Sequence, residues 1–256
     1  MTPTAKISPA LQALLHRVID YAGSFPPASL PCRNVIENYQ QYQAGPHAWM
    51  LRWLVVNSAD VAQIPESLTG KLSVLSEAAV PQAVCVESKS IVQLGVPVYA
   101  EVPWEQLAAV KEAGIYAKIR TGGVKPEAIP SVEEVARFLL RCADLKLAFK
   151  ATAGLHHALR GKYRLTYEPN SPLGTMHGFL NVFLAAAFAW HGERDILPIL
   201  EETEYSAFHF DEKAHWRNRS LNTTEITEAR EQFIHAFGSC SFVEPVEELQ
   251  ARGWTC

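Results

Sequence analysis

An α/β fold, most simply a (β/α)8 TIM-type barrel, is what this sequence predicts, and three observations predict it. Short apolar, β-like runs recur along the 256 residues. Helical patterns separate several of them, which implies βαβ units and a parallel sheet. Neither a Gly-rich dinucleotide fingerprint nor a phosphate loop marks the usual ligand of an open doubly wound sheet. Seven or eight strand candidates in a chain of this length favour a barrel.

In chain order, apolar positions at helical spacing (Leu11, Leu14, Leu15, Val18, Ile19) predict a helix over 8–22, outside or beneath the barrel, with Gly23 as its stop. Strand-like runs follow at 51–56, 71–75, 83–86, 97–102, 115–120 and 145–152. Helices are expected over 104–113 and 131–142, the second opened by a capping box of Ser131 and Glu134. Between residues 72 and 102 the gaps are too short for full helices, so that unit is eroded or irregular. Residues 155–220 form an insertion: a stretch without clear periodicity at 154–178, a buried helix at 178–190, and a hairpin of 207–210 with 215–217. A helix over 225–237, a short strand at 238–242 and a helix over 246–252 close the chain. With no linker, repeat or low-complexity tract, one barrel domain over 1–256 is the simplest reading.

Composition narrows the function. Apolar residues make up 48% and charged residues 20%, as in an ordinary globular protein. A net charge of −4 offers no long-range attraction for nucleic acid or anionic lipid. The five cysteines (32, 85, 142, 240 and 256) form no CxxC pair, which points to a reducing cytoplasm. The opening residues 1–23 lack a signal-peptide pattern. The apolar run from Phe179 to Trp190 is too short for a membrane span. The expected partner is a small-molecule substrate rather than nucleic acid or membrane, and homo-oligomerisation stays open.

Two strands end on a lysine. "YAKIRTGG" (116–123) carries Lys118, and "LAFKATAGLHHALRG" (147–161) carries Lys150. In an extended chain Lys118 and Arg120 share one face, and Ala148, Lys150 and Thr152 share another. Inward residues near the carboxyl ends of barrel strands line the active site, so both lysines would meet in one poorly solvated mouth. Desolvation and a neighbouring positive charge each favour the neutral amine, a nucleophile able to form a Schiff base with a carbonyl compound.

These residues resemble those of deoxyribose-phosphate aldolase-like class I aldolases. The stretch Lys118-Ile119-Arg120-Thr121-Gly122 matches one lysine strand of that family, and Lys150-Ala151-Thr152-Ala153-Gly154-Leu155 matches the next. The resemblance implies a (β/α)8 barrel and a lyase reaction without cofactor or metal. Lys118 would form the imine and Lys150 would modulate its charge. Arg120 stands where the family has a small residue, and the family's aspartate has no evident counterpart, Glu101 being the candidate.

The remaining site candidates come from the residues themselves. His156 and His157 could transfer protons. Arg120 and Arg160 could hold an anionic group, with Thr121, Gly122, Gly123, Thr152, His177, Ser239 and Ser241 as further substrate contacts. The rivals are a metal-assisted lyase, isomerase or hydrolase using His156, His157 and His177, and a non-catalytic ligand-binding barrel. The stretch "YAGSFPPASLP" (21–31) could wall a pocket mouth.

Overall fold

The structure, a computed structural model, describes residues 7–255; residues 1–6 of the opening stretch and Cys256 lie outside the described residues. The chain begins with α1 (Pro9–Leu15), β1 (Ile19–Tyr21), α2 (Cys32–Ala44), β2 (Leu51–Asn57), β3 (Leu72–Leu75), β4 (Ala83–Ser88) and β5 (Val98–Ala100). Then come α3 (Leu107–Glu112), β6 (Tyr116–Arg120), α4 (Val132–Asp144) and β7 (Phe149–Thr152). A long excursion follows through β8 (Gly161–Arg164), β9 (Leu173–Met176), α5 (Phe179–Trp190), α6 (Leu197–Glu201), β10 (Phe208–Phe210), β11 (Lys213–Trp216), β12 (Arg219–Asn222) and α7 (Thr223–Gln232). The chain then returns to β13 (Ile234–Ser239) and closes with α8 (Val243–Ala251).

Eight strands, in the order β1-β13-β7-β6-β5-β4-β3-β2, pair in parallel and close on themselves. This is the expected (β/α)8-type barrel. Its eroded unit lies where the sequence placed it: residues 76–82 and 89–97 join β3, β4 and β5 without a helix. Parallel strands usually need a longer crossover. Here Glu77 braces the short one, its carboxylate accepting from the Ser88 hydroxyl and the Lys89 N–H, each at 2.7 Å.

Several boundaries differ from expectation. The helix over 8–22 stops at Leu15, and Ile19–Tyr21 is the first barrel strand instead. Arg17, at φ 48°, turns the chain, and β1 pairs with β2 and β13. A short apolar run fits either period, and pairing partners decide it. The same ambiguity moves the expected helix at 225–237: it ends at Gln232, and Ile234–Ser239 becomes β13. The stretch 154–178 contains an antiparallel hairpin of β8 and β9, and the hairpin expected at 207–217 gains a third strand, β12.

Outside the barrel, α5 is buried along its whole length, as a sequence apolar at every position but Asn181 requires. It lies on β13, with Phe179 stacked on Phe237 at 5.3 Å and Trp190 on Phe233 at 5.2 Å. The Ser131–Glu134 capping box opens α4. Beyond the ends of β6 and β7 the chain makes a close backbone approach. A Cβ on Gly122 would lie 2.8 Å from the Gly154 Cα, and Gly154 sits at φ +77°, a conformation suited to glycine.

Candidate active site

The register of β6 on β7 sets Lys118 directly beside Lys150. Both side chains meet the same carboxylate. Lys150 Nζ donates to Glu87 Oε1 at 2.6 Å, and Lys118 Nζ donates to Glu87 Oε2 at 3.3 Å. Lys150 also donates to Asp20 Oδ2 at 2.6 Å, and Lys118 lies 3.0 Å from Glu101 Oε2. Arg52 stands 3.6 Å from Asp20, and Arg120 donates to Glu101 at 3.2 Å. The result is one chain of alternating charge: Arg52, Asp20, Lys150, Glu87, Lys118, Glu101, Arg120. It runs from the start of β2 up to the rim at the carboxyl end of β6.

The interior of this chain is shielded from bulk solvent. Asp20, Glu87, Lys118 and Lys150 are all buried. A buried charge persists only when paired and hydrogen-bonded. Further donors are present: the Trp53 N–H reaches Asp20 Oδ1 at 3.1 Å, and the Ser73 hydroxyl reaches Glu87 Oε1 at 2.8 Å. Burial alone would raise the Glu87 carboxyl, but Lys150 and Lys118 outweigh it and hold the group down at about 2. Burial pulls Lys150 toward the neutral form, yet Asp20 and Glu87 drive it well above the ordinary lysine value. Glu101 is lowered as well: burial opposes its charge and Lys118 and Arg120 overcome that. Lys118 therefore meets two carboxylates, where the sequence suggested a neighbouring ammonium as the dominant influence.

A cavity of about 330 Å³ opens above this network, bordered by Glu87, Lys118, Arg120, Thr152 and Gly238 at the strands' carboxyl ends. Such a volume suits a small organic ligand. Phe25, Pro26, Val55 and Leu75 add apolar wall, so the 21–31 stretch does border the mouth. Gly122 and Gly123 line it, and the exposed Lys125 joins Arg120 as a second cation. Lys150 is wholly buried and does not line the cavity.

The other expected residues divide. His156 lines the cavity, with Nδ1 3.0 Å from the Ser239 hydroxyl. His157 does not: it stacks on Tyr163 at 3.4 Å and hydrogen-bonds Glu248 on α8. His177 is also placed elsewhere, its Nε2 bonded to the Pro130 carbonyl at 2.8 Å. Arg160 is absent from the cavity lining; its N–H donates to Asn181, at the base of α5. Thr121 is spent on structure, its hydroxyl donating to the Ala153 carbonyl at 2.6 Å. Ser239 and Ser241 do not face the cavity either: Ser239 donates to the Ser241 carbonyl, and the Ser241 hydroxyl accepts from the Glu244 N–H at the start of α8. The three histidines proposed as metal ligands therefore point to different partners. Among the described residues no group of three His, Cys, Asp or Glu side chains is arranged to hold a metal ion.

Asp20 and Glu87 are the site residues that sequence reasoning missed. Each is a lone acid within an apolar strand, in "VIDY" and "VCVES", the same kind of interruption that exposed the lysines. Asp20 was hidden because its segment read as helix.

The buried imidazoles carry a measurable consequence. Burial, then the neighbouring His157, lowers His156 from 6.5 to about 4. Burial, then Arg52, Arg230 and Lys150, lowers His235 to about 3. The unfolded chain takes up these protons near 6.5 while the folded chain refuses them, so folding stability falls as pH drops below 6.5 toward those values. Glu87 adds to the loss below 4.5, continuing down to about 2. The urea midpoint is expected to be lower at pH 5 than at pH 7. Equal midpoints would mean that the imidazoles titrate normally.

Scans against protein-family models, curated proteins and solved structures return no match for the chain. The fold and site define the class on their own: a (β/α)8-type barrel whose carboxyl-end cavity has a lysine–carboxylate network as its floor.

Proposed function

We propose that this chain is a lyase of the class I aldolase type, acting on a small carbonyl compound that bears an anionic group, through a Schiff base on Lys118. One observation carries the reading: two lysines from adjacent strands grip opposite oxygens of one buried carboxylate, and only Lys118 faces the cavity. Lys150, doubly paired, serves as a fixed charge. The alternating chain sets four basic side chains against three carboxylates, with Lys118 between Glu87 and Glu101.

In the proposed reaction Lys118 gives up a proton, with Glu101 as the acceptor within reach, and its lone pair attacks the substrate carbonyl carbon. The proton held by Glu101 returns to the carbinolamine hydroxyl, which leaves as water, so an iminium forms beside a re-ionised Glu101. Its positive charge falls where the ammonium's had been, and the charges of the Glu87 and Glu101 carboxylates stabilise it there. The iminium takes up the electron pair of the breaking C–C bond as an enamine. His156, uncharged near neutral pH, is the base placed to accept the substrate hydroxyl proton. Arg120 and Lys125 at the rim suit the anionic group.

Borohydride reduction during incubation with short aldehydes and ketones bearing phosphate or carboxylate tests this. A mass increase mapping to Lys118 is expected. If no panel member is trapped on Lys118 while one binds saturably in the cavity, the chain is a ligand-binding barrel instead, a role that a fully paired ion network also serves.

A further inference from the structure

At the opposite end of the barrel a second cavity, of about 560 Å³, opens beside the amino ends of β1, β2 and β13. Three guanidinium groups line it, from Arg17, Arg52 and Arg230, together with the imidazoles of His16 and His235. Glu231 is the one carboxylate in its lining. This concentration of positive charge belongs to a chain whose net charge is −4.

The arginines are poorly matched by acids. Among the described residues neither Arg17 nor Arg230 has a carboxylate within ion-pair distance. Arg230 donates to the His16, Ile234 and His235 carbonyls, and its buried Nε has no partner. Arg52 Nη1 has only the 3.6 Å ion contact with Asp20 and no hydrogen bond. Arg17 and Arg52 both lie over the Trp53 ring, at 4.8 and 5.6 Å, which holds two of the three guanidinium groups in place.

We propose that this lower cavity binds a small phosphate-bearing molecule, with Arg17, Arg52 and Arg230 as its phosphate ligands. Guanidinium groups present paired N–H donors that match phosphate oxygens, and three of them suit a dianion. The titration behaviour of the lining agrees. Burial and then Arg52 lower Arg230 to about 9, while burial and then Arg17 and Arg230 lower His16. Charge on Arg230 and on His16 is resisted by the neighbouring cations, and a bound dianion would relieve that repulsion. The inference does not depend on the Schiff-base reading. Arg52 alone joins both regions, so it is left intact in the test.

Calorimetric titration with inorganic phosphate at low ionic strength, on the wild-type chain and on Arg17→Glu and Arg120→Gln, decides the matter. Arg17 is exposed, so its replacement should leave the fold intact, as circular dichroism would verify. Arg17→Gln serves as the milder second variant. The expected result is saturable binding to wild type with a component that Arg17→Glu weakens about tenfold or more, that Arg17→Gln weakens less, and that survives Arg120→Gln, which removes only the rim cation of the upper cavity. The absence of saturable binding to wild type overturns the proposal. So does saturable binding that Arg120→Gln abolishes and Arg17→Glu leaves unchanged.

Discussion

Replacing Lys150 with methionine is expected to destabilise the protein by about 3–5 kcal/mol, the cost of breaking a buried ion pair from one side. The side chain is wholly buried and satisfies two carboxylates at 2.6 Å each. Methionine fills a similar volume but leaves Asp20 without its closest cation and Glu87 with Lys118 alone. Both carboxylates would then hold charge away from bulk solvent or take up protons. Removing the acid as well should help. Asp20→Asn combined with Lys150→Met is expected to lose less than the sum of the two single changes, because fewer charges are stranded. Urea unfolding of the four proteins measures this. A cost below about 1 kcal/mol for Lys150→Met, within the range of exposed ion pairs, would contradict a buried network.

Under the Schiff-base reaction we propose, Lys118→Arg is expected to leave the fold nearly unchanged while reducing turnover by about 10³-fold or more, the scale set by loss of a covalent nucleophile. Arginine keeps a positive charge between Glu87 and Glu101, so the alternating chain survives. Its guanidinium cannot lose a proton to become the attacking amine. The comparison separates two roles that substitution by alanine would confuse. Were Lys118 only an electrostatic contact, Lys118→Arg would retain turnover within about tenfold and the reduced adduct would map elsewhere. A matched pair of outcomes is expected: Lys150→Met damages stability first, Lys118→Arg damages chemistry first. Their positions explain the difference, since Lys150 is wholly buried and Lys118 borders the cavity.

The barrel was legible because its central strands carry unmistakable local signals. "YAKIR" and "AFKAT" are apolar runs with one cation each, and the Ser131–Glu134 capping box marks the helix between them. The strand-rich, helix-poor stretch from 72 to 102 was also readable, since too few residues separate those strands to form helices. The barrel's first strand was not, and of the last only the end was, since the strand expected at 238–242 overlaps β13 at Gly238 and Ser239 alone. Ile19–Tyr21 and Ile234–Ser239 follow helices without a clear break in hydrophobic pattern, and only pairing with distant strands makes them β.

The same division governs the site. Local sequence determined which side chains interrupt buried strands, and so pointed to Lys118, Lys150 and Arg120. It could not pair them, because an ion pair is a three-dimensional relation: Lys150 finds Asp20 from 130 positions away and Glu87 from 63. Nor could adjacency separate His156, which faces the cavity, from His157, which turns to Glu248. What the chain encoded locally was the alternation that sends charges inward. Closure of the barrel decided which charges meet, because it brings strands that are remote in sequence within hydrogen-bond reach around one shared interior.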